Sequence, residues 1–154
     1  MAKMEDIQDF LGQKRFAFVG VSRKPKDFSR LLFREFRSRG YEPVPVNLEV
    51  SEIEGVRCYT HLRDIEPPVD SVLLMTSPTV TNLLVRECVD AGIQRVWFYR
   101  GGTQGAMTNA ALEICETNGI RVVPGECPFM FFDRTQWFHR FHGFVKKIAG
   151  SYPR

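Results

Sequence analysis

The sequence has only four cysteines in 154 residues, Cys58, Cys88, Cys115 and Cys127, and no two form a C-x-x-C pair. A disulfide framework is therefore not expected, and free thiols in a reducing cytoplasm fit better. No apolar run approaches the roughly 20 residues needed to span a membrane. Met1 to Asp6 is charged and offers no apolar core for a signal peptide. Of three histidines, His61 stands alone, and His139 and His142 lack a further ligand at suitable spacing, so no metal is expected. No Ser–His–Asp set, paired-carboxylate motif, Walker loop, internal repeat or low-complexity segment is present. The 21 Lys and Arg exceed the 18 Asp and Glu by three. That excess permits an anionic ligand but does not argue for nucleic acid.

What remains is an ordinary soluble globular composition, 44% hydrophobic and 25% charged. The length predicts one domain over 1–154, with a core at about 10–128 and a helical tail at 129–154. Strand and helix patterns alternate. Strands are expected at Phe16–Val19, Glu42–Asn47, Ser71–Met75, Arg95–Tyr99 and Arg121–Val123. Helices are expected at about Phe28–Ser38, Thr79–Ala91 and Thr108–Asn118, with Gly40, Gly92 and Gly119 behind them. Ser51–Tyr59 reads as an irregular connection, followed by a short helix at Leu62–Ile65. This is an α/β fold: a Rossmann-like, three-layer domain on a five-stranded parallel sheet, expected order 3-2-1-4-5. Ligands of such sheets bind beyond the carboxyl ends of the strands, where strand order reverses. That order points to the loops after the first and fourth strands.

The first of those loops carries the strongest signal. FAFVGVS, residues 16–22, ends an apolar run in Gly20, Val21 and Ser22, and Arg23, Lys24, Pro25 and Lys26 follow. A glycine lets the backbone approach a ligand, and the next helix presents unpaired N–H groups to a phosphate. Ser22 can add a hydroxyl, and Arg23, Lys24, Lys26 and Arg30 can neutralise charge. A G-x-G-x-x-G fingerprint would need glycine at 20, 22 and 25, and two of the three are absent. At the end of the second strand an NAD site usually has Asp or Glu for the ribose hydroxyls. Here stands Asn47, which repels no phosphate, so NAD is disfavoured while NADP or coenzyme A stays open. Asn47 can also simply cap the strand.

FAFVGVSRKP, RSRGYEPVPVN, VDSVLLMTSP, DAGIQRVWF and NGIRVVPGECP, in that order, resemble the small CoA-binding domain proteins. That family is similar to the N-terminal CoA-binding domain of the succinyl-CoA synthetase α subunit. The resemblance covers about Phe10 to Pro128 and implies a Rossmann-like fold binding coenzyme A at the strand ends. By position it makes Gly20, Val21, Ser22, Arg23, Lys24 and Pro25 the phosphate loop. It sets Asn47 in a P-V-N-P motif, here with Leu48 for the last proline. It implies Thr76, Ser77 and Pro78 beside the pantetheine arm, Gly101 and Gly102 after the fourth strand, and Cys127 in the segment after the fifth.

Cys127 has two readings: a thiol near the reactive end of bound CoA, or a small residue filling space behind the last strand. The tail rings Phe129, Phe131, Phe132, Trp137, Phe138, Phe141 and Phe144 have two main readings, with a membrane-surface helix a distant third. Trp137, Phe141, Phe144 and Ile148 recur at helical spacing, as a helix docked on the domain or as a homodimer interface. The expected protein is a cytoplasmic CoA or acyl-CoA binder with no assigned reaction and no nucleic-acid or membrane partner. Its rivals are an NADP-dependent oxidoreductase using the same edge and a non-catalytic interaction module.

Overall fold

The computed structural model describes residues 2–100 and 105–132. Helix α1 (Met4–Leu11) precedes strand β1 (Arg15–Val19), helix α2 (Phe28–Ser38) and strand β2 (Glu42–Val46). A hairpin of β3 (Glu52–Ile53) and β4 (Val56–Arg57) follows, then a 3-10 turn at Leu62–Asp64. Strand β5 (Ser71–Leu74), α3 (Pro78–Asp90), β6 (Arg95–Tyr99), α4 (Asn109–Thr117), β7 (Arg121–Glu126) and a 3-10 turn at Pro128–Phe131 complete the elements of the described residues. Gly101, Gly102, His139, His142 and the stripe from Trp137 to Ile148 lie outside the described residues.

The sheet is five-stranded and parallel, in the order β2-β1-β5-β6-β7. In terms of its five strands this is 2-1-3-4-5, which corrects the expected 3-2-1-4-5. The two prolines of EPVPV give the physical reason. The Glu42 N–H donates to the Lys14 carbonyl at 2.7 Å, so even-numbered amides of β2 face β1. The outward positions are Pro43 and Pro45, which have no N–H to offer a further strand. Among the described residues the one stitch there is at the strand's end. Tyr59 N–H donates to the Pro45 carbonyl, and Asn47 N–H donates to that of Tyr59, each at 3.0 Å. A β2 so built must be an edge, and β5 is left to pair with β1. The point where strand order reverses therefore falls between β1 and β5, not after the first and fourth strands.

Both faces of the sheet are covered, which is why its strands read as apolar runs. Ala17, Val19, Val72, Leu74, Val96 and Phe98 face α3 and α4 with Val85, Cys88, Ala111 and Cys115. Phe16, Phe18, Leu73 and Trp97 face α1 and α2 with Ile7, Phe10, Leu32, Phe33 and Phe36. Helix α1 was not anticipated. Its eight residues are too few for a clear periodic signal, but Ile7 and Phe10 are buried, and the Phe10 ring lies 5.3 Å from that of Trp97. Asp9 fixes its angle, accepting from Arg95 Nε at 2.6 Å and pairing with Arg121 at 3.1 Å. Of the tail aromatics, Phe129 and Phe132 are buried on this same face, and the Phe132 ring meets Phe36 at 5.1 Å. Those rings belong to the domain's own core.

Candidate functional site

Because every main strand is parallel, the loops after Val19, Val46, Leu74, Tyr99 and Glu126 share one edge. Gly20 stands at its centre, with φ +103°. A Cβ there would lie 2.7 Å from the Met75 carbonyl carbon and closer still to its oxygen. The glycine is thus required by the approach of the β1 and β5 ends at the reversal point, as well as by its own backbone angle. Val21 then turns inward and is 1% exposed, among the aromatic side chains of the α2 face. Its side chain is part of the core, so only its main chain is left to face the edge.

The turn that follows is held by its own side chains. The Ser22 N–H donates to Ser29 Oγ at 2.8 Å, and the Ser22 hydroxyl donates to Asp27 Oδ2 at 2.5 Å. The same hydroxyl accepts from the Lys24 N–H at 3.0 Å. It closes the turn instead of standing free for a phosphate. Arg30 also departs from expectation. It is buried, and its guanidinium donates to the carbonyls of Ser22 at 3.2 Å and Arg23 at 3.1 Å and pairs with Glu54. What the turn does present is its exposed cations. Arg23 pairs with Glu49 at 2.8 Å with both side chains well exposed, a bond of little net strength. Lys24 and Lys26 are exposed and have no carboxylate partner among the described residues. The main-chain N–H groups of Arg23, Lys26 and Ser29 have no protein acceptor among them either. Unbonded N–H groups in this turn and in the first turn of the eleven-residue helix, beside two lysines, are of the kind that can accept an anion.

Asn47 spends its amide on structure. Its Nδ2 donates to the Val21 carbonyl at 3.2 Å, and its Oδ1 accepts from the Glu49 N–H at 2.7 Å. It ties the loop after β2 to the loop after β1 and puts no negative charge between them. Leu48 beside it is 77% exposed.

Thr76, Ser77 and Pro78 open α3. Ser77 accepts from the Val80 N–H as N-cap, Pro78 takes the first helical turn, and Thr76 Oγ1 shares a 2.7 Å hydrogen bond with Thr81 Oγ1. With Met75, Tyr99, Gly105 and Ala106 they line a cleft of about 220 Å³. Tyr99 and Arg100 were not singled out from the sequence. Burial, with Cys127 beside it, pushes the Tyr99 hydroxyl pKa up, so Tyr99 stays a neutral donor. Arg100 is exposed at the end of β6, its stem against Gly105 and Gly125. Cys127 is 3% exposed and in hydrogen-bonding contact with Tyr99. It lies behind the cleft wall, as the space-filling reading expects.

The cysteines give a direct check. Cys88 and Cys115 are fully buried, and burial pushes the Cys115 thiol up to about 11. Cys58 alone is partly exposed. Titration of the native protein with an aromatic disulfide reagent should find about one reactive thiol, mapped to Cys58, and all four after denaturation. Rapid modification of Cys127 in the native protein would contradict its placement behind Tyr99.

Glu54, in the turn between β3 and β4, was also missed. It accepts from Arg34 Nε at 3.0 Å and from Arg30, and these bonds hold its carboxyl well below the ordinary 4.5, at about 2. The spacing of Arg30, Arg34 and Arg37 along one helix face was the available signal. No group of three or more His, Cys, Asp or Glu able to hold a metal exists among the described residues, and no helix there is long and apolar enough to cross a membrane.

Residues 14–133 match the family model described as the CoA binding domain. YneT of Bacillus subtilis is 26% identical over 123 residues, covering 79% of this chain and 88% of YneT. The alpha subunit of an ADP-forming acetate–CoA ligase II of Pyrococcus furiosus is 25% identical over 125 residues, which is 77% of this chain and 27% of that subunit. The chain thus spans about a quarter of the ligase subunit. A solved structure, described as a hypothetical protein from Pyrococcus horikoshii OT3, superposes with a TM-score of 0.73 at 28% identity, covering 80% of this chain and 85% of that one. Because the family model spans residues 14–133, well over half of the chain, the chain belongs to the CoA-binding domain family.

Proposed function

We propose that this protein binds coenzyme A or an acyl-CoA across the carboxyl edge of its sheet. The phosphates would lie on the turn 20–27, and the pantetheine arm would run toward the cleft between Met75, Pro78 and Tyr99. The observation that carries this reading is the turn itself, where strand order reverses: N–H groups and lysines that have no acceptor or carboxylate partner among the described residues. The neutral Asn47 supports a ligand whose ribose bears a phosphate, and it counts against NAD. The matched segment is only 27% of the acetate–CoA ligase relative, so its reaction is not carried over. Binding without catalysis, as carrier, sensor or subunit, fits the residues found at the edge.

The test is thermal stability with each ligand at equal concentration. A ligand that binds only the native state and is present at 100 times its Kd adds about 2.7 kcal/mol. For a chain of this size that is roughly 5–10 °C. CoA should give such a shift and NAD none. A large shift with NADP and none with CoA would replace this reading by the oxidoreductase one.

Dimerisation through Trp137, Phe141, Phe144 and Ile148 is a second element of the proposal, supported by the enrichment of aromatic residues at subunit interfaces. Light scattering at micromolar concentration should give about twice the 17.8 kDa chain mass. A monomer would remove this element and leave CoA binding untouched.

A further inference from the structure

Three arginines of α2 converge on Glu54, and two of them, Arg30 and Arg34, hold its carboxylate and also the carbonyls of the phosphate turn. Arg30 donates to the carbonyls of Ser22 and Arg23, at 3.2 and 3.1 Å. Arg34 Nη2 donates to the carbonyl of Pro25 at 3.0 Å. The same two guanidiniums meet the Glu54 carboxylate, Arg34 through Nε at 3.0 Å and Nη2 at 3.2 Å. Arg37 reaches the Glu54 carbonyl at 3.0 Å. Glu54 itself has φ +52° and sits with Gly55 at φ +77°, the tight two-residue hairpin turn that brings its carboxylate to the helix.

We propose that Glu54 and Arg30 are positioning residues for the phosphate turn, a proposal that rests on the CoA-binding reading for its ligand. Arginine donors gather the carbonyls of residues 22, 23 and 25 on the α2 side. The carbonyls point inward, and the N–H groups of Arg23 and Lys26 are left for an anion. Glu54 neutralises and orients the guanidiniums, so they serve as structural donors and are not drawn to the ligand. Stability alone is a poor account of the arrangement. The Arg30 side chain is 9% exposed and its Nε has no partner among the described residues. A buried ion pair with an unsatisfied donor is commonly no more stable than an apolar substitute. A direct phosphate role for Arg30 is opposed by its burial and by the carboxylate already on it.

The test uses the full chain with E54Q and R30K. Lysine keeps the charge but cannot span two carbonyls and a carboxylate. Amide exchange without ligand should speed up about tenfold or more at Ser22, Lys24 and Asp27, whose N–H groups are bonded within the turn, and not in β1 or β5. CoA affinity should fall about tenfold or more in both variants. The slope of affinity against salt should stay as in the native protein, because no ligand-contacting charge has been removed. R30K binding CoA as well as the native protein, or with a smaller salt slope, would make Arg30 a direct phosphate ligand and overturn the proposal. Unchanged exchange in both variants would overturn it as well. If the native protein does not bind CoA, the functional reading fails, and the exchange data still decide whether the clamp orders the turn. If E54Q does not fold, R30K carries the same comparison.

Discussion

Gly20→Ala is expected to lower the melting temperature by roughly 6–12 °C, from a loss of about 3 kcal/mol or more. Two costs add at this position. The backbone holds φ +103°, where a side chain is strained by about 1–3 kcal/mol. The new Cβ also meets the Met75 carbonyl carbon at 2.7 Å, and main-chain atoms of a paired strand cannot move aside cheaply. Gly40→Ala is the control. It shares a positive φ, +86°, but has nothing within 4 Å of the added carbon. It should lose only the backbone cost, about 1–2 kcal/mol. The difference between the two variants measures the close approach of β1 and β5 at the reversal point. Equal melting temperatures would mean that this approach does not constrain the strands. CoA binding should suffer with Gly20→Ala even below the transition, since the turn must shift to admit the methyl group.

The backbone plan of the site was legible where one residue type has one physical consequence. FAFVGVS predicted a strand, a turn and a helix, and α2 begins and ends at Phe28 and Ser38 as its apolar spacing indicated. Gly20 was readable as a close approach, though the atom it approaches, Met75, required the sheet. Strand order was the main error, and the information was present. Pro43 and Pro45 in the expected second strand suggest that part of it lacks a hydrogen-bonding neighbour. The stronger consequence is that no strand at all can pair with the outer side of β2 there. Order is set by which edges remain available for pairing, which local propensity does not encode.

The polar assignments were less legible, because side chains of the same type serve ligand and scaffold alike. Ser22, Asn47 and Arg30 were each credible ligand groups. In the fold their polar atoms hold Asp27, Val21 and the loop carbonyls. Glu54 lies 24 residues beyond Arg30 and inside a stretch read as irregular. Its partner could be found only once the hairpin folded back on α2. Cys127 illustrates the reverse: free cysteines are usually buried, and this one is, at 3% exposure.

The ligand-facing charge therefore falls on fewer residues than the basic run offered, and Lys24 and Arg100 carry the second large prediction. Lys24 stands in the turn after β1 and Arg100 at the end of β6, two strands away, about 10 Å at the usual strand spacing. Both are exposed, and neither has a carboxylate partner among the described residues. A ligand with phosphates at two separate positions can meet both. Each charge-assisted contact is worth about 1.5–3 kcal/mol. Lys24→Ala with Arg100→Ala should then weaken CoA binding about a hundredfold or more, with each single change giving roughly tenfold or more. The melting temperature without ligand should barely move, because exposed charges outside any ion pair contribute little to the fold. Arg23→Ala should cost less, since its guanidinium is shared with Glu49. Affinity measured across a range of salt separates these roles: the double variant should lose slope as well as strength, in contrast to R30K. Full affinity in the double variant would move the phosphates off this edge.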